Sequence, residues 1–390
     1  RTQTGQQIRI PLLRHWLVDD PTCCPLCAPY PILPDTNTQT GSDLICTNKG
    51  SDRLMFLMTR QKPRTGGNMQ SDTAHADIVA TKDPSAYITK DRQTLRGKRV
   101  GPILHLADER ARLAQLTWTH FDIKRLGATI GAEISGVNLT TDLSQPVIDD
   151  IRRALHEFKV IFFRDQPLTS QQHVNFAGRF GELEIHPFIP SNTGQPELVR
   201  FEKSFDVKGY ENTWHQDVTW RECPSLGAVL HAIQVPESGG DTLFCDMYAA
   251  YEGLTDEQRE FVDSHDAEHD FVQSFGRQVA PDQMQAVREK YPIVVHPLAP
   301  THAVTGRKYL YCNPVFLSRI IGVDEAESDR WLTELWRESD NVEYQCRFHW
   351  EPDSIAFWDN RACQHYASSD YWPEIRIMER ASIVGGRPTR

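Results

Sequence analysis

The chain has 390 residues and carries 42 Lys/Arg against 53 Asp/Glu, a formal net charge of -11. With 39% hydrophobic and 24% charged residues it reads as globular, and its length allows one large domain or two ordinary ones. The acidic balance argues against a nucleic-acid grip or adhesion to an anionic membrane, and no apolar run approaches the ~18–20 residues of a membrane span. Nine scattered cysteines do not make a disulfide framework and no secretory signal opens the chain, so a cytoplasmic setting is expected.

These averages hide a step near residue 115. Residues 1–115 hold 16 Lys/Arg and 11 Asp/Glu, whereas residues 116–390 hold 26 and 42. Four of the 37 aromatic residues (Trp16, Tyr30, Phe56 and Tyr87) fall in the first part, which leaves little from which to build a core. The chain also opens on Arg, as would a fragment or a reading frame extended upstream of its true start. Residues 1–115 are therefore expected to be a poorly ordered or spurious leader and residues 116–390 the functional domain. A chain beginning near Thr117 should keep full activity. Cys23, Cys24 and Cys27, with Cys46 beyond, contain one Cys-x-x-Cys but lack the second pair that a structural zinc needs.

From Phe121 onward the pattern is ordered. Ile148, Ile151, Leu155 and Phe158 step by three and four, which predicts a helix capped at Ser144. Val160–Phe163 follows as a short buried strand. Thr169 and Gln172 form a capping box ahead of Val174, Phe176 and Phe180, with Gly181 as the stop. Further strands are predicted at Ala228–Val235, Thr242–Phe244, Ile293–Val295, Tyr309–Cys312, Ser354–Trp358 and Ile375–Val384. Between Tyr344 and Trp350 the alternation is strict: Tyr344, Cys346, Phe348 and Trp350 on one face, Gln345, Arg347 and His349 on the other. The domain is thus mainly β with flanking helices, a sandwich or jelly roll.

His215 and Asp217 stand two apart, so an extended backbone turns both to one face. An imidazole and a carboxylate so placed can share a divalent metal, and a distant second His would complete a two-His-one-carboxylate triad with open positions. His-x-Asp alone is weak, because chance supplies about one in such a chain; His75/Asp77 and His120/Asp122 also match. Downstream stand Trp358-Asp359-Asn360-Arg361, His365, Arg376 and Arg380. Arg376 and Arg380 lie four apart on a predicted strand and share a face. Two such guanidinium groups call for anions, either a bound carboxylate, sulfonate or phosphate or the chain's own Asp and Glu.

The order His215-x-Asp217, Gly239-Gly240-Asp241-Thr242, Trp358-Asp359-Asn360-Arg361, His365, Arg376, Arg380 resembles the taurine dioxygenase (TauD/TfdA-like) family of Fe(II)- and 2-oxoglutarate-dependent dioxygenases. The resemblance runs from about Ile123 to the C-terminus, and Leu126 to Val137 resembles the family's opening. It implies a double-stranded β-helix (jelly-roll) core, with 116–390 as the catalytic domain. His215, Asp217 and His365 would bind Fe(II); Arg376 and Thr242 would hold the distal carboxylate of the co-substrate 2-oxoglutarate, and O2 would be the second co-substrate.

The same resemblance implies a small anionic organic substrate, most closely a taurine-like sulfonate, that would be hydroxylated beside its anionic group to release sulfite and an aldehyde with succinate and CO2. Arg380 and His186 would meet the sulfonate, with Ser274, Phe275 and Phe316 in the pocket. Two positions depart from taurine dioxygenase: Ile189 replaces a tyrosine, and Glu211 replaces an asparagine and would either meet a substrate ammonium or mark a different substrate. Alkyl sulfates and aryloxyalkanoates are the alternatives on this scaffold; a non-enzymatic anion-binding jelly roll is a remote one. A homo-oligomer is compatible with the family.

Overall fold

A computed structural model of the chain describes two short strands, β1 (Thr94–Leu95) and β2 (Lys98–Arg99), and residues 101–390 apart from Thr193. The chain divides between Ala80 and Thr81, and every described residue lies in Thr81–Arg390. Cys23, Cys24, Cys27, Cys46, His75 and Asp77 lie outside the described residues.

Seven strands make the large sheet: β3 (Asp122–Arg125), β4 (Ala132–Ser135), β5 (Val160–Phe163), β13 (Ile355–Asp359), β7 (Ser225–Gln234), β15 (Arg376–Val384) and β6 (Leu198–Lys203), in that spatial order. All pairs are antiparallel except β4–β5. A three-stranded sheet faces it, with β8 (Thr242–Asp246) between β12 (Gln345–Phe348) and β14 (Cys363–Ala367). A third small sheet joins β9 (Asp266–His269) to β10 (Val294–Pro297) and β11 (Leu317–Ile320).

The apolar run Val160–Phe163 is explained by burial on both sides. Val160 and Phe162 enter a core with Phe244, Cys346, Phe348 and Cys363 of the small sheet, and Phe162 stacks on Phe348 at 4.0 Å. Ile161 and Phe163 turn to the opposite core, under the helices Gln145–Phe158 and Ser170–Gly178. On the first of these, Ile148, Ile151, Leu155 and Phe158 are all buried, each contributing ~1.5–3 kcal/mol of apolar burial. Ser144 occupies its N-cap position without a side-chain hydrogen bond, and Thr169 and Gln172 form the capping box of the second. That helix stops at Gly178, three residues before the expected glycine.

Tyr309–Cys312 is buried but, among the described residues, joins no sheet. Its amides go to separate places, Tyr309 to Pro300 O, Leu310 to Met247 O and Tyr311 to Leu298 O, so no ladder forms.

The boundary expected at 115/116 moves toward the N-terminus. Helix Ala107–Ala114 packs on the domain through Leu106 and Leu113, each buried in a different core. Its Glu109 accepts from Arg307 at 2.8 Å and lies 3.4 Å from Lys159 Nζ. Lys159 is fully buried, with Asp246 at 3.3 Å as its other carboxylate. A protein beginning at Thr117 is therefore expected to melt well below one beginning at Gly101. Loss of a buried leucine side chain alone costs ~2–5 kcal/mol. Thermal denaturation of the two proteins checks this, and equal midpoints would show that residues 101–116 carry no structural weight.

Candidate active site

His215 and His365 meet in an antiparallel backbone bridge outside the named strands' ladders. His215 N–H donates to His365 O at 3.0 Å and His365 N–H to His215 O at 2.9 Å. A pair that exchanges both hydrogen bonds projects its side chains to one face, and the ring centroids stand 4.1 Å apart. His215 Nδ1–H donates to Thr213 O at 2.7 Å, which leaves Nε2 with its lone pair exposed toward the site. The His365 ring lies 4.8 Å from Trp358 and 6.2 Å from Phe244.

Asp217 is fixed by its backbone. Asn360 Oδ1 accepts from Asp217 N–H at 2.7 Å, and Asn360 Nδ2–H donates to Asp217 O at 2.9 Å and Ser225 O at 3.1 Å. The next residue, Val218, is buried with φ at 47°, a costly conformation for a β-branched side chain that this clamp helps to hold. The sequence places Asn360 in the Trp358–Arg361 motif, but a job of this kind appears only once the chain is folded.

His215, Asp217 and His365 bring one ligand atom each within 4.8 Å of one another. His215 Nε2 lies 3.9 Å from Asp217 Oδ1, and His365 Nε2 lies 3.9 Å from Oδ2. These gaps are too long for hydrogen bonds and within reach of a shared ion. Among the described residues Asp217 Oδ2 is buried without a partner, as an atom awaiting a cation would be. Burial alone would raise the Asp217 carboxyl; Arg380 and the two imidazoles outweigh it and hold the group at about 2. Burial, then His215, pushes His365 down to about 3, so its imidazole is neutral and able to ligate. The donor set therefore suits a divalent transition metal such as Fe(II).

Arg376 and Arg380 share a face of β15 as expected, with different partners. Arg380 donates Nη1–H to Asp217 Oδ1 at 2.8 Å, while its buried Nε has no partner. Arg376 donates Nε–H to Gly240 O at 3.1 Å, its buried Nη2 is unpartnered, and Tyr371 faces its guanidinium at 5.8 Å. Gly240 has φ at 66°, which favours glycine, and a Cβ there would come within a tight 3.2 Å of Arg376 Cδ. Thr242 Oγ1 accepts from Trp350 Nε1–H at 3.0 Å, which leaves its own hydrogen to donate.

His186 Nδ1 accepts from the amides of Phe188 and Ile189 at 3.2 and 3.0 Å. The proton of the neutral ring thus sits on Nε2. Burial, then Arg380 and Arg221, pushes this histidine down to about 3, so it is a neutral donor. Phe275 lies 5.5 Å from the His186 ring and 6.1 Å from Phe316, with Phe188 and Trp220 continuing an aromatic wall. Ser274 directs its hydroxyl to Val315 O at 3.2 Å. Glu211 is in an ion pair, 2.6 Å from Lys203 Nζ, a residue that sequence reasoning passed over. The structure therefore joins the His215, Asp217 and His365 cluster to Arg380 directly, sets Arg376 against Gly240, two residues before Thr242, and engages Glu211 with Lys203.

Comparison with known proteins agrees with this arrangement. The family model "Taurine catabolism dioxygenase TauD, TfdA family" matches residues 122–382. An alpha-ketoglutarate-dependent sulfate ester dioxygenase of Pseudomonas putida is 34% identical over 68% of this chain and 90% of its own length. An (S)-phenoxypropionate/alpha-ketoglutarate-dioxygenase of Sphingobium herbicidovorans is 33% identical over 68% and 95%. The crystal structure of a taurine dioxygenase from Burkholderia xenovorans superposes with a TM-score of 0.61 and 36% identity, over 69% of this chain and 91% of that one. Among the described residues no helix is long and apolar enough to cross a membrane. The chain belongs to the TauD/TfdA family, as a 2-oxoglutarate-dependent dioxygenase with a jelly-roll fold that uses Fe(II), 2-oxoglutarate and O2.

Proposed function

We propose that the protein hydroxylates the carbon bearing the anionic head of a small organosulfur acid with an apolar tail, an alkyl sulfate ester or an alkyl sulfonate. His215, Asp217 and His365 hold the iron. Arg376 pairs with the distal carboxylate of 2-oxoglutarate, to which Thr242 adds a hydroxyl donor. Iron with 2-oxoglutarate and O2 supplies the oxidising power to convert a C–H bond to C–OH, with release of succinate and CO2. Arg380 and the Nε2–H of His186 take the anionic head and so aim the adjacent carbon at the metal. The hydroxylated carbon then expels its head as the hydroxyl proton leaves: C–O cleavage gives sulfate from a sulfate ester, C–S cleavage gives sulfite from a sulfonate, and either leaves an aldehyde.

The observation that carries this reading is a buried arginine and a neutral histidine donor beside a metal triad, backed by an aromatic wall. The wall favours an alkyl tail over taurine. The tyrosine hydroxyl of taurine dioxygenase is absent at Ile189, and the Glu211 carboxylate, the expected partner of an ammonium, is held by Lys203. Hexyl sulfate or hexanesulfonate is expected to exceed taurine in kcat/KM by tenfold or more, about 1.4 kcal/mol. Succinate formation, with sulfate, sulfite and phenol measured in parallel, checks this. Taurine as the best substrate would restore the ammonium role of Glu211, and phenol release from an aryloxyacetate would move the assignment to that class.

A further inference from the structure

Lys203 and Arg376 are direct partners across β6 and β15, so their side chains leave the same face of the sheet. Both are buried, at 7% and 6% exposure. Like charges directly opposite on neighbouring strands repel, and burial strengthens the repulsion. Glu211, on the loop that follows β6, lies 2.6 Å from Lys203 Nζ, and Tyr210 of the same loop covers that ammonium at 4.4 Å.

The loop is also held close to Arg376. Gly209 abuts Tyr371 so closely that a Cβ would lie 2.7 Å from the phenol oxygen, and the Tyr371 ring in turn faces the Arg376 guanidinium. The Glu211 carbonyl accepts from Ala367 N–H at 3.4 Å. Glu211 thus pairs with one of two buried cross-strand cations, Lys203, while its charge also acts on the other, Arg376. Among the described residues Arg376 keeps an unpartnered Nη2, although the Glu211 charge acts on it.

We propose that Lys203 is a positioning residue that holds the Glu211 carboxylate away from Arg376, keeping the guanidinium open for the distal carboxylate of 2-oxoglutarate. This rests on the assignment of Arg376 to 2-oxoglutarate. Without the lysine, Glu211 is a tethered anion that competes with the free co-substrate for the buried guanidinium, at an effective concentration on the order of millimolar. Removing Glu211 as well takes away the competitor.

The test is calorimetric titration of 2-oxoglutarate, without O2, into Mn(II)-loaded protein carrying Lys203→Gln, Lys203→Arg, Glu211→Gln or Lys203→Gln with Glu211→Gln. Lys203→Gln is expected to weaken binding by about tenfold or more. Lys203→Arg preserves the pair and the affinity, and the double variant returns to within about threefold of wild type. Should Lys203→Gln fail to fold, the double variant and Glu211→Gln carry the test, because with Glu211 gone the two must bind alike. Wild-type affinity in a folded Lys203→Gln overturns the proposal. So does a double variant much weaker than Glu211→Gln, which would make Lys203 a direct ligand of the co-substrate. A wild-type protein that binds Mn(II) but no 2-oxoglutarate fails at the earlier assignment instead.

Discussion

Asp217→Ala is expected to abolish substrate-dependent 2-oxoglutarate consumption and Fe(II) binding together. It removes the carboxylate that lies between the two imidazoles and leaves no oxygen ligand at that position. The substitution also strips Arg380 of its 2.8 Å partner in a site where both groups are buried. Breaking a buried pair from one side costs about 3–5 kcal/mol, so the metal-free variant should melt well below the metal-free parent. Asp217→Ala combined with Arg380→Ala should recover part of that stability and none of the turnover, which separates the structural from the chemical loss. The pH dependence carries the same signature. The folded carboxyl sits at about 2 against an ordinary 3.8, so its contribution is intact above about pH 4 and disappears as pH falls toward 2. Anaerobic Fe(II) titration and thermal melting are the measurements. Fe(II) binding of parental affinity in Asp217→Ala would remove this residue from the ligand set.

The extent to which this site can be read from sequence depends on whether a relation is local. His215 and Asp217 share a face because two residues on an extended chain must, and Arg376 and Arg380 share one for the same reason. His365 lies 150 positions from His215 and is tied to it by a backbone bridge that no spacing announces; it came from motif order. What each arginine touches is a tertiary fact. Arg380 reaches Asp217, and Arg376 meets Gly240, whose positive φ brings its carbonyl there. Lys203 was invisible because its place opposite Arg376 is set by the register of β6 on β15, between segments far apart in the chain. The fold shows the same division. The period of Ile148, Ile151, Leu155 and Phe158 and the alternation from Tyr344 to Trp350 are local patterns, and both appear in the structure. Helix Ala107–Ala114 lies in a polar, core-poor stretch and is held by two leucines and a glutamate whose partners are distant.

Arg376→Ala and Arg380→Ala are expected to fail in opposite ways. Among the described residues Arg376 has a buried Nη2 without a partner and no carboxylate in hydrogen-bonding contact, so its assigned anion is one that arrives with the co-substrate. Its loss removes a charge-assisted pair worth ~1.5–3 kcal/mol, which raises the KM for 2-oxoglutarate roughly ten- to a hundredfold and leaves that for substrate nearly unchanged. Arg380 already has an anion in Asp217, and its unpartnered Nε is what remains for a second one. Its loss should raise the KM for substrate, and should also slow turnover, because the arginine orients the carboxylate at the metal as well as the head of the substrate. Steady-state kinetics with each co-substrate varied in turn distinguishes the two. The reverse pattern would exchange their roles, placing 2-oxoglutarate beside Asp217 and the substrate's anion beneath Gly240. The aromatic wall at His186 would then lie against the wrong molecule, and that conflict makes this pair of variants a test of the whole arrangement.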